Sequence, residues 1–217
     1  MIDLCHLDEA GFGMTQPVSY SWYPIRERLF IPFEANQGRR VNVMGGYFSH
    51  GPQSGRFVFE TRVKIPESKA KKRRKSLDER AEAHGVKAED VGTLDAEFFL
   101  AFIWKLAGRP QGAWPTWKRE RPLVISLDNY SVHTSELVLA EKATFEAADV
   151  HLFFLPSYSP ELSDIEPIWQ DVKHHELARR SFDRLGDLLQ AVQNALQRKA
   201  DKLLSTTFTD HFLTLPT

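Results

Sequence analysis

The chain has 217 residues, with 28 Lys and Arg against 29 Asp and Glu, 42% hydrophobic and 12% aromatic residues. That composition suits one large core rather than two small ones and excludes a chain that is disordered, collagenous or coiled-coil throughout. One cysteine, Cys5, excludes an internal disulfide and a thiolate zinc site and points to a reducing compartment, the cytoplasm by default. No stretch approaches the roughly 18 apolar residues of a membrane helix, and Met1-Ile2-Asp3-Leu4 lacks the order of a signal peptide, so membrane roles fall away.

In chain order, Ile2 to Leu7 reads as a short strand that stops at a turn, Asp8-Glu9-Ala10-Gly11. Val41–Phe48 and Arg56–Val63 are β-rich, and the His50-Gly51-Pro52-Gln53-Ser54-Gly55 segment between them supplies the turn of a hairpin. A basic insert follows: Arg62 to Arg80 holds nine basic and three acidic residues, a local +6 on a body otherwise at −7. Leu94–Leu106 carries apolar residues at helical spacing, Leu123-Val124-Ile125-Ser126-Leu127 reads as a central strand buried on both faces, and Ser135–Ala148 reads as a helix. Val150–Leu155 reads as a second buried strand, and about Pro167 to Lys202 as two helices with a Leu185, Leu188, Leu189, Val192, Leu196 stripe.

This order sets three carboxylates at the ends of elements that can converge: Asp8, Asp128 and Glu166. Ligands and catalytic groups gather at the carboxyl ends of strands in α/β sheets. Strand alternation sends Glu9 to the face opposite Asp8 and separates Asn129 from Asp128 in the same way. An all-oxygen cluster suits magnesium or manganese better than zinc, and phosphodiester chemistry follows from such an ion. Taken singly, an Asp after a strand is most often a turn or cap residue, and Ser163-Asp164-Ile165-Glu166 also matches a capping box. Pro167 weakens the capping reading by pushing Glu166 toward the helix boundary.

These residues resemble the catalytic domain of DDE transposases of the mariner superfamily, of the bacterial insertion-sequence type. The resemblance rests on Leu7-Asp8-Glu9-Ala10-Gly11-Phe12 with Trp22, on Arg40-Val41-Asn42-Val43-Met44-Gly45-Gly46, and on Leu127-Asp128-Asn129 with His133. Its most specific part runs from Leu155-Pro156-Ser157-Tyr158-Ser159-Pro160-Glu161-Leu162 into Ile165-Glu166-Pro167-Ile168-Trp169 and Lys173. It implies an α/β, ribonuclease H-like (retroviral integrase-like) mixed sheet flanked by helices, forming one catalytic domain over residues 1–217. Asp8, Asp128 and Glu166 would be the catalytic acids and the ligands of two Mg2+ or Mn2+ ions. The implied activity is DNA cleavage followed by transfer of the 3′-hydroxyl to target DNA, with a homodimer joining transposon ends in a cytoplasmic, DNA-associated setting. A ribonuclease H-type nuclease without strand transfer, and an inactive transposase-derived DNA-binding protein, are the alternatives.

The chain departs from that pattern in three places. Ser163-Asp164 stands where Asn-Pro is usual, putting an extra negative charge near the proposed ions. The insert at about 64–93 is longer than expected. The chain also starts almost at the first catalytic strand, with no helix-turn-helix DNA-binding domain before it, so an upstream domain or subunit is a further expected partner. Secondary site residues are Asn129 and His133, the latter facing the site across a helical turn. Lys173, two turns from Glu166 on one helix face, is a DNA contact, as are Lys69, Lys71, Lys72, Arg73, Arg74 and Lys75. Trp22 and Trp169 read as core.

Overall fold

The computed structural model describes residues 1–15, 26, 35–66, 76–113, 116–156, 159–177 and 181–213. Five strands form one mixed sheet: β1 (Asp3–Phe12), β2 (Arg40–His50), β3 (Phe57–Lys64), β4 (Leu123–Leu127) and β5 (Val150–Phe154), in the order β3-β2-β1-β4-β5. β1, β2 and β3 pair antiparallel as a meander, whereas β4 and β5 join β1 in parallel. Helices α2 (Ala96–Ala107), α3 (Glu136–Ala140) and α4 (Lys142–Ala147) cross between the later strands. Helices α5 (Glu166–Asp171) and α6 (Leu185–Leu213) follow β5, and α1 (Leu77–Ala83) follows β3.

The two sheet faces bury separate cores. On one, Phe99, Phe102, Ile103 and Leu106 of α2 pack on Cys5, Leu7, Met44, Ile125 and Leu127. On the other, Ile168, Trp169 and the α6 stripe of Leu185, Leu188, Val192 and Leu196 pack on Ala10, Phe12, Val41 and Val43. Alternation along β1 assigns its residues accordingly: Leu7 and Glu9 to the α2 face, His6, Asp8 and Ala10 to the α5–α6 face. No helix among the described residues is long and apolar enough to cross a membrane.

Three expectations are corrected. β1 does not turn at Asp8 but runs on to Phe12, because Asp8–Phe12 pairs with Val41–Gly45 of β2, and cross-strand bonding overrides the local turn signal. β5 is an edge strand rather than a buried one, with Phe153 57% exposed. The helix expected over 135–148 is broken at Glu141, which ends α3 and begins α4. The later part of the basic insert is built into the fold: Ser76 and Glu79 form a reciprocal capping box on α1, and Ala81 and Val86 join the core beneath α6. The cluster Lys69, Lys71, Lys72, Arg73, Arg74 and Lys75 lies outside the described residues, as does Trp22.

Candidate active site

Parallel pairing of β1 with β4 runs from Asp3↔Leu123 to His6↔Ser126, and the same register carried two residues further sets Asp8 level with Asp128. Adjacent strands stand about 4.8 Å apart, so the two aspartates meet at the point where β4 stops and β1 continues. Glu166 reaches the same place from the first turn of α5. All three line one cleft of about 480 Å³, together with Asn129, Tyr130 and Ser163.

Each acid is held by neighbours. Trp169 Nε1 donates to Asp8 Oδ2 at 3.0 Å. The indole reaches that far because residue 45, opposite Asp8 on β2, is glycine: a Cβ there would sit 2.5 Å from the Trp169 ring. Burial pushes the Asp8 carboxyl up to about 7, and the negative charges of Glu9 and Glu166 add to the rise, while bonds from the Glu9 backbone and Trp169 oppose it. Repulsion from neighbouring acids is therefore present but smaller than desolvation.

Asp128 Oδ1 accepts from the Tyr130 backbone N–H at 3.0 Å and contacts His133 Nδ1 at 3.0 Å. His133 is fully buried against the Phe99 ring, and its Nε2 meets Glu9 Oε1 at 2.9 Å. Burial opposes charging of this imidazole, but the bond and charge of Glu9, with Asp128 behind it, raise its pKa overall. Glu9 does face away from Asp8, as alternation requires, yet it connects to the site through His133. The sequence reading missed it because alternation describes direction and not what lies between. Asn129 lines the cleft with Asp128, its Nδ2 donating to Leu155 O at 2.8 Å, since alternation no longer holds beyond the strand.

No capping box forms at Glu166: Ile165 is the N-cap of α5 and makes no side-chain cap bond. Glu166 opens the helix with Pro167 behind it, inside the first turn rather than before it. The backbone changes to a π-helical turn over Val172–Glu176, so Lys173 is not two α-turns from Glu166. It shares a pocket with Glu166, Asp164 and Trp169, and its ammonium lies 5.7 Å from the centre of the Phe12 ring. Asp164 points its charge at His6, with Oδ2 3.2 Å from Nε2. His6 also touches Ser49 Oγ at 2.9 Å and Ser126 Oγ at 2.8 Å, and burial holds its pKa down while Asp164 pulls it upward.

In this mixed sheet the acids converge beside the end of β4, the kind of place where ligands and catalytic groups gather. A family model described as "DDE superfamily endonuclease" matches residues 76–189, more than half of the chain. The chain belongs to the DDE superfamily endonucleases. It is also similar to the Transposable element Tcb2 transposase of Caenorhabditis briggsae, 36% identical over 78 residues that make up 33% of this chain and 28% of that protein. Two solved structures share the ribonuclease H-like fold. The Mos1 mariner paired-end complex with Mn has a TM-score of 0.55 at 15% identity, covering 92% of this chain and 52% of that one. The Mos1 paired-end complex with the left transposon end has a TM-score of 0.52, again at 15% identity, 92% and 52%. The chain thus spans about half the length of the Mos1 protein and under a third of the curated relative.

Proposed function

We propose that this domain performs divalent-ion-dependent cleavage and joining of DNA strands, as the catalytic domain of a transposase. The observation that carries the reading is the meeting of Asp8, Asp128 and Glu166, from three separate elements, on one cleft. The donor set fits a hard cation, being all carboxylate oxygen, with one buried carboxyl whose pKa is raised to about 7 beside other acids. No group of three His, Cys, Asp or Glu side chains among the described residues is arranged to hold one ion. In this reading each ion would take one or two of the carboxylates, with water and phosphate oxygens completing the shell.

Asp8 and Asp128 would hold two Mg2+ or Mn2+ ions, with Glu166 on one of them. Such ions stabilise negative charge on the attacking and leaving oxygens of an in-line displacement. Trp169 fixes Asp8 by Oδ2, and Tyr130 and His133 fix Asp128 by Oδ1, so each carboxylate is oriented before a ligand arrives. The substrate in this reading is DNA: transposon ends, then target DNA, with two copies of the chain bringing two ends together. The test is nicking of duplex DNA alongside calorimetric titration of Mn2+ into the metal-free protein. Asp8→Asn, Asp128→Asn and Glu166→Gln should each abolish nicking, and Asp128→Asn should weaken ion binding by tenfold or more, about 1.4 kcal/mol. Full nicking by any one variant removes that residue from the site. Supplying pre-cut 3′ ends separates strand transfer from plain nuclease action.

A further inference from the structure

A second groove, of about 430 Å³, adjoins the cleft and shares Asp8, Asp128 and Tyr130 with it. Its far wall is cationic. Arg40 and Lys64 face each other as a cross-strand pair of β2 and β3, with Asn42 and Thr93 beside them. Among the described residues neither cation makes an ion pair, although Asp8, Glu9 and Asp128 border the same groove. The guanidinium of Arg40 lies across Gly11 of β1, where a Cβ would come within 2.0 Å of Nη2. A bare backbone at residue 11 is thus what lets this side chain lean from β2 toward the acids.

We propose that Arg40 and Lys64 form a phosphate subsite that seats the DNA strand next to the phosphate being attacked; this rests on the reading of the domain as a DNA-processing enzyme. The two depressions meet at Asp8 and Asp128, so a strand laid with one phosphate over the acids carries a neighbouring phosphate into the groove. There the planar fork of Arg40 grips two phosphate oxygens while Lys64 adds a point charge. The amide of Asn42 supplies a neutral donor. Contacts of this kind set the position of the strand and do not read sequence. Two unpaired cations facing each other repel until an anion joins them, and a polyanion held over carboxylates needs local positive charge of this sort.

The experiment is anisotropy of a labelled DNA duplex titrated with the full chain in chelator, between about 50 and 200 mM salt. Each of Arg40→Gln and Lys64→Gln should lower the slope of log K against log salt by about 1, and the double variant by about 2. The loss should be equal on duplexes of unrelated sequence. Gly11→Ala keeps both charges but drives the guanidinium aside, and should weaken binding several-fold at fixed salt with the melting temperature unchanged. An unchanged slope in the double variant, or wild-type affinity in Gly11→Ala, overturns the subsite while leaving the DNA reading intact. Loss confined to one DNA sequence also overturns it, since that is base readout. A wild-type protein with no salt-dependent DNA binding overturns the DNA reading itself, and the subsite with it.

Discussion

Asp8 is the residue on which the electrostatics of the cleft turn. Its carboxyl titrates near pH 3.8 in an unfolded chain and near 7 in the metal-free fold, chiefly because it is buried. Below the lower value both states are protonated and nothing is lost; between the two values the unfolded chain releases the proton while the folded carboxyl keeps it, so stability declines across that window and levels off above about 7, where the folded carboxyl ionises too. Asp8→Asn should therefore leave metal-free stability unchanged at pH 3.8 and raise it at pH 8, by up to about 4 kcal/mol. Denaturant unfolding at the two pH values measures this, and equal effects at both contradict it. Glu9 acts at one remove. It holds His133, and His133 holds Asp128. Glu9→Gln should lower Mn2+ affinity by about 10–100-fold, as loss of an outer partner does, without disturbing the fold. Unaltered calorimetric affinity would mean that Glu9 only packs.

The elements explain why the acids meet. β1 is longer than β4, so its second half has a bonded neighbour on the β2 side and an open edge on the other, where Asp8 and Asp128 stand level. Gly45 on β2 admits the Trp169 ring of α5, which fastens the helix bearing Glu166 to the strand bearing Asp8. Gly45→Ala should cost about 1–3 kcal/mol by overpacking, and because it displaces the indole it should also weaken nicking. Thermal melts with tryptophan fluorescence test this, and a stable variant with native fluorescence contradicts the wedge. Much of this was legible in the sequence. β4 matches its expected span of Leu123–Leu127, and every residue of the α6 stripe is buried. The extent of β1 was not, because Asp8-Glu9-Ala10-Gly11 is turn chemistry locally and strand only when β2 is beside it. Nor was the bond from Trp169 to Asp8, since burial of an indole says nothing about where its N–H points.

In the whole molecule, two cores on opposite sheet faces leave the acids at a shared rim, with the cleft on one side and the cationic groove on the other. Asp164 is held at that rim by a contact with His6, 3.2 Å from Oδ2 to Nε2, but burial holds the imidazole pKa down, so the contact orients the carboxylate without cancelling its charge. The account as a whole stands on the acids acting together as a cation site. Anomalous diffraction from a crystal of this protein soaked in Mn2+ tests that most directly. Two peaks, one between Asp8 and Asp128 and one that also touches Glu166, are the predicted result; an empty cleft at saturating Mn2+, or manganese bound only elsewhere, would contradict it.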